Sequence, residues 1–211
     1  MRIFTLTFSC FILLILTGSA QSNPENPYVK LGQKALIDGN FKAAVTHLEK
    51  SLPAENNNAN VMYMLGYSYY HSGDYQKAIS SFSRVVSLKP GEVSAYYYRG
   101  KARNLLGTQM ESKLSAFEKE KLLQAAIRDF TKAIELNNED LKLYQNRAIA
   151  YRDYGILKSQ KIPKFYNKGI AADAFESSIN DFRHVLDANP SRKDIATEIK
   201  KAKVYMANLD N

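Results

Sequence analysis

Apolar residues along this chain recur at intervals of three and four, the spacing that gathers side chains on one face of an α-helix. Between Ala59 and Glu92 the pattern runs twice, as ANVMYMLGYSYYHS and then YQKAISSFSRVVSL. Gly73-Asp74 divides the two runs and Pro90 follows the second, so a helix–turn–helix pair is predicted. Leu65, Gly66 and Tyr69 share a face of the first helix. Ala78, Phe82 and Val85 share a face of the second.

Copies of this pair lie on both sides. Gly32 to Gly66 is 34 residues, and Gly66 to Gly100 is 34 again. The first unit spans residues 25–58, the second 59–92, the third 93–140 and the fourth 141–190. A tail at 191–211 carries one more helical stripe of Ile195, Ile199, Ala202 and Met206, with Ser191 or Asp194 to cap it. Within each unit a small residue sits at the eighth place (Gly32, Gly66, Gly100, Ala148) and a large one at the twenty-fourth (Leu48, Phe82, Phe130, Phe182). Glycine at the fifteenth place (Gly39, Gly73, Gly107, Gly155) is expected to end each first helix. The third unit holds 14 extra residues near 108–121, read as a lengthened second helix that projects from the stack. The fourth holds 18 extra near 156–173, part of them a loop broken by Pro163 and Gly169.

These residues resemble the tetratricopeptide repeat (TPR), a helix–turn–helix unit of about 34 residues. The resemblance implies an all-α fold: a right-handed superhelical solenoid of antiparallel helix pairs, closed by a C-terminal capping helix. A single unit cannot bury its apolar face, so neighbours must stack. The family grips a peptide or helix on its concave side, lined by the first helix of each unit. Carried over by register, the groove residues are Tyr63, Tyr67, Tyr70 and His71, then Tyr97, Tyr98, Lys101 and Asn104, then Gln145, Asn146, Arg152 and Asp153. Val29, Gln33 and Ile37 would form a more apolar end. Tyr69, Tyr75, Tyr96, Tyr144 and Tyr151 fall at core places. Asn146 also matches the middle asparagine of a carboxylate-clamping subset. Val29 and Gln33 stand where that subset needs Lys and Asn, so a full clamp is not expected.

Residues 1–20 (MRIFTLTFSCFILLILTGSA) have a positive start, an apolar run and small residues before a cleavage point after Ala20. That is the pattern of a secretory signal peptide. The Ala-Gln junction resembles that of exported bacterial proteins of the Bacteroidetes type, implying a periplasmic or secreted protein with no stable membrane span after cleavage. Residues 21–27 form a polar leader. Cys10 lies inside the leader run, so the mature chain would carry no thiol.

Net charge is +8, and residues 141–211 hold 13 Lys/Arg against 8 Asp/Glu. Lys158, Lys161, Lys164 and Lys168 stand in a stretch with no acid between Tyr154 and Ala172, beside Phe165 and Tyr166. Such a loop would attract an anionic surface or polymer, though it also suits a solvated face. Export disfavours nucleic acid as partner. Chemistry is not expected. His47, His71 and His184 lie in different units without metal-ligand spacing, and no phosphate-binding loop or nucleophile elbow occurs. Glu118, Glu120 and Asp129 read as solvated partners of neighbouring lysines. No cofactor or metal is implied. The sequence therefore predicts a non-enzymatic adaptor or scaffold holding a partner protein. Its alternative is a structural subunit docking through the inserted helices.

Overall fold

The computed structural model describes residues 26–110 and 113–210. The signal peptide, its cleavage point, Cys10 and most of the polar leader lie outside the described residues. Among those described there are nine α-helices and no strand: α1 (Pro27–Ile37), α2 (Phe41–Glu55), α3 (Ala59–Ser72), α4 (Tyr75–Leu88), α5 (Val93–Thr108), α6 (Ala116–Leu136), α7 (Leu141–Ser159), α8 (Lys168–Ala188) and α9 (Lys193–Ala207). A 3₁₀ turn, Asn208–Asp210, follows. Each helix packs on its neighbours in sequence, which builds a stack of antiparallel pairs.

The helix starts are written in the sequence. Side chains of Asn26, Asn40, Asn58, Asp74, Asp140 and Asn167 accept hydrogen bonds from the otherwise unpaired first N–H groups of α1, α2, α3, α4, α7 and α8. Ser115 opens α6 with a reciprocal capping box to Glu118. The α9 helix departs from expectation: Arg192 precedes it with no side-chain cap, and Asp194 pairs with that arginine instead. Its buried stripe is Ile195, Ile199 and Ala202, and Leu209 rather than Met206 takes the last covered place.

The small-against-large rule explains the packing. A Cβ added at Gly32 would lie 2.6 Å from Leu48, at Gly66 3.1 Å from Phe82, and at Gly100 3.0 Å from Phe130. A methyl there would force Leu48, Phe82 or Phe130 to shift. At the fifteenth place the expectation holds for two units and fails for two. Gly39 and Gly73 turn the chain with φ of +70° and +87°. Gly107 and Gly155 instead sit inside α5 and α7, which run on to Thr108 and Ser159. There a Cβ would meet Leu123 at 3.1 Å and Phe175 at 2.7 Å. Leu123 and Phe175 each lie two helical turns before Phe130 and Phe182. In the last two units the extra residues thus repeat the same contact one layer further out.

This corrects the reading of the insertions. Neither is a free projection. In the first, α6 is lengthened only from Ala116 onward. Gly169 does not break the second, because α8 already starts at Lys168. The added turns cover each other: Leu123, Tyr154, Leu157, Phe165 and Ala174 form one buried cluster.

Candidate functional site

The first helices of successive units touch one another (α1 with α3, α3 with α5, α5 with α7), and the second helices make no contact of that extent. The first helices therefore lie on the inside of the bend, and their outward residues line the groove.

Most of the candidate groove residues come together. Tyr67 and Tyr98 meet edge to face at 5.2 Å, Tyr70 and Tyr98 at 5.5 Å, and Tyr97 and Tyr98 at 5.1 Å. Tyr63 joins them at 6.2 Å from Tyr98. These separations are those at which the positive edge of one ring favours the negative face of another. His71 lies 4.3 Å from Tyr67 and is stacked on Phe41 at 4.6 Å. The Lys101 ammonium sits 5.3 Å from the ring centres of both Tyr70 and Tyr97. The result is a half-buried aromatic wall with one cation on its rim.

Electrostatics follow from that crowding. Burial, then the neighbouring ring hydroxyls, raises the pKa of Tyr98. Burial raises Tyr63 and Tyr70 as well. All three stay neutral hydrogen-bonding groups. His71 is pushed below its ordinary value, first by desolvation among the rings and then by the charge of Lys101.

Tyr98 has a second role. It stacks on Phe82 of the preceding unit, with centroids 5.7 Å apart and planes 13° apart, so it joins two repeats as well as facing the groove. Phe41 was missed from the groove because it opens a second helix. The short Gly39-Asn40 turn brings it round to His71. Leu36 and Met64 extend the wall with Tyr63 and Tyr67 around a hollow of about 150 Å³. At the first unit Ile37 is exposed, but Val29 is buried in the core and cannot line a groove.

Beyond the wall the groove is more polar and largely paired with itself. Asn104 is buried and donates to Asp153 at 2.8 Å. Arg152 donates to Asp153 at 2.9 Å and to Glu198 of α9. Gln145 accepts from Arg192 at 3.1 Å, and Asn146 donates to the Lys142 carbonyl at 2.7 Å. Lys101, Asn104, Leu105, Asn146 and Ile149 still leave, with Tyr70 and Phe130, a hollow of about 320 Å³ at the end of the wall.

The basic stretch is divided by the structure. Lys158 is buried, 3.4 Å from Glu120 and 3.9 Å from the Phe165 ring centre, so it is no part of a surface. It lies within α7, not in the loop. Phe165 is buried too, while Lys161, Lys164 and Lys168 are exposed. The carboxylates also differ from expectation. Glu118 is exposed, but Glu120 serves Lys158 and accepts from the Tyr154 hydroxyl at 3.0 Å. Asp129 is 3% exposed and holds Arg99 at 2.7 Å and Arg103 at 2.6 Å. Its partners stand 26 and 30 residues away, beyond any spacing rule within one helix.

His184 lies against Tyr144, 4.2 Å between centroids, and His47 is in α2, far from His71 in register. Among the described residues no three His, Cys, Asp or Glu side chains are grouped to hold a metal ion. None of the described helices is long and apolar enough to cross a membrane.

Comparison with known proteins agrees with this architecture. The family model for "Anaphase-promoting complex, cyclosome, subunit 3" matches residues 38–103. Photosystem I assembly protein Ycf3 of Acaryochloris marina is 23% identical over 138 residues, covering 64% of this chain and 83% of that protein. Its namesake from Rippkaea orientalis is 26% identical over 111 residues, covering 48% and 64%. Among solved structures, MamA AMB-1 superposes with a TM-score of 0.63 at 16% identity, over 87% of this chain and 82% of that one. The Arabidopsis OM64 TPR domain gives 0.50 at 20% identity, over 68% and 93%. At such identities the structural likeness is one of fold. Small-to-large contacts at a 34-residue interval, helix pairs stacked in sequence and these matches agree: the chain has a TPR-like helical-repeat fold, an all-α solenoid.

Proposed function

We propose that this protein is a non-enzymatic adaptor that holds an extended peptide or a helix of another protein in its concave groove. We place it in the cell envelope or outside the cell, on the strength of the leader-like residues 1–20. The observation that carries the reading is the aromatic wall of Tyr63, Tyr67, Tyr70, Tyr97 and Tyr98, rimmed by Lys101. Tyrosine offers area, little rotamer entropy to lose and a polar tip, which suits capture of a partner. The Ycf3 relatives are described as assembly proteins. A role in assembling or escorting a partner is the form of adaptor work we favour.

The test places a photo-crosslinking residue at Tyr67 in the groove, or at Gln76 on the outer face of α4. A partner crosslinked from Tyr67 and lost with Tyr70→Ala/Lys101→Ala supports the groove. Crosslinking from Gln76 alone would move the interface to the convex side. Tyr98 is left intact because its stacking on Phe82 also holds two repeats together.

A further inference from the structure

The start of α8 and the end of α9 lie side by side. Lys168 bonds to Asp210, Tyr205 stacks on Phe175 at 5.8 Å, and Leu209 packs with Ala171 and Phe175. The segment 160–167 leads into this end of the molecule and is pinned there. Phe165 is buried beneath Lys158 and meets Phe117 at 5.3 Å. The Phe165 and Tyr166 N–H groups donate to the Ile162 carbonyl, and the Asn167 N–H donates to the Lys158 carbonyl at 3.0 Å. What the loop shows outward is therefore fixed: Lys161, Ile162, Pro163 and Lys164.

Lys164 holds a φ of 63°, in the left-handed region that glycine enters freely and lysine only at a cost. A charged side chain held against such a cost is a pointer to use. At this end of the molecule Ile162 of the loop is 38% exposed, Ile170 at the start of α8 is 36% exposed, and Val204, Tyr205 and Met206 near the end of α9 are 57%, 41% and 40% exposed. Lys168 is exposed at the start of α8 and Lys203 near the end of α9, while Lys200 and Lys201 stand further back on α9, Lys201 paired with Glu198 at 2.8 Å. An isolated apolar side chain on a surface needs no explanation. Here apolar and ammonium groups are interleaved on three chain segments at one end.

We propose that this end docks peripherally on an anionic phospholipid surface, with residues 161–164 as its leading edge. Apolar tips would enter the headgroup boundary while lysine stems reach back to the phosphates. Charge complementarity selects the lipid: the stretch from Tyr154 to Ala172 contains no carboxylate side chain to repel it. Lys168, already bonded to Asp210, contributes less than Lys161 and Lys164. Lys158 contributes nothing, being buried.

The experiment is co-sedimentation of the full chain with phosphatidylcholine vesicles, with and without phosphatidylglycerol. Wild type and variants are compared so that the common N-terminal segment cancels. Expected are tighter binding with phosphatidylglycerol that weakens with salt, and a loss of about 30-fold for Lys161→Gln/Lys164→Gln. Ile162→Ser should weaken binding severalfold without altering the salt dependence. Lys164→Gly removes the charge while relaxing the backbone, and it should still lose affinity, which separates lost charge from lost folding. Tyr70→Ala/Lys101→Ala should bind vesicles as wild type, keeping this idea distinct from the groove. Equal binding to both vesicle types, or lysine variants that bind normally, overturns it. So does a lysine effect without an Ile162 effect together with displacement by soluble polyphosphate, which would identify an acidic polymer or protein instead.

Discussion

Replacing the buried Arg147–Asp181 pair tests how the last repeats are held. Arg147 Nε and Nη2 donate to the two Asp181 oxygens at 2.7 and 2.8 Å, and Nη1 reaches Thr131 of the preceding unit at 3.2 Å. The side chains are 19% and 11% exposed. Asp181→Ser removes two charge-assisted hydrogen bonds and strands a mostly covered guanidinium. The geometry puts the cost at about 3 kcal/mol, after allowing for the part of Arg147 that still sees water. For a chain of this size that is a fall in Tm of about 6–12 °C. The second unit shows what the pair can be exchanged for. Leu65 and Ser81 occupy the same two places there, with Tyr69 in the place of Tyr151, and Leu65 and Ser81 are buried without any ion pair. Arg147→Leu/Asp181→Ser should therefore recover to within about 1 kcal/mol of wild type, because neither charge is left alone. Urea titration followed by far-ultraviolet circular dichroism measures all three. A double variant as unstable as Asp181→Ser alone, or an Asp181→Ser cost below about 1 kcal/mol, refutes the reasoning.

Gly155→Ala should cost about 1–3 kcal/mol because Phe175, fully buried, must move, whereas Gly91→Ala, with nothing within 4 Å, should be neutral or slightly stabilising; thermal melts compare them. Ser115→Ala should remove about 1 kcal/mol from the start of α6, read as faster amide exchange over residues 116–119 while α8 is unchanged. His71 should titrate below its ordinary 6.5 by NMR. Its folded pKa is lowered, so its contribution to stability is whole above 6.5 and is lost as pH falls from there through the lower folded value; His71→Phe should flatten that decline, and an unshifted midpoint would contradict the ring packing.

The repeat was legible because packing fixes it. A small residue facing a large one, as Gly66 faces Phe82 and Gly100 faces Phe130, recurs wherever two helices approach this closely. The turns at Gly39-Asn40 and Gly73-Asp74 were legible because the signals are local, whereas the cap expected of Ser191 or Asp194 was not borne out, Asp194 being taken up by Arg192. Gly107 and Gly155 were misread because glycine serves two ends, a left-handed turn and a close helix contact, and only the distant Leu123 or Phe175 decides between them. Asp129 and Lys158 were misread for a related cause. Each looks solvated among its sequence neighbours, and the groups that cover it come from another helix. Register picked out tyrosines that do cluster, but not Phe41, which reaches them from the far side of a turn.

The arginine at the seventh place in the third and fourth units also grips a hydroxyl of the unit before it: Arg99 with Ser83, Arg147 with Thr131. Each such grip rivets one repeat to its predecessor, and the first two units have leucine at that place, Leu31 and Leu65. The array thus has a grain. Strain or heat should open it first at the seam between the first two units, where no buried arginine grips across and the polar links, Tyr69 and Lys77 to Glu49 and Arg84 to Asn57, are more exposed, and the aromatic wall begins in the second unit, beside that seam. A clasp set between a looser first unit and a riveted body can admit a guest at one side while the rest keeps its shape.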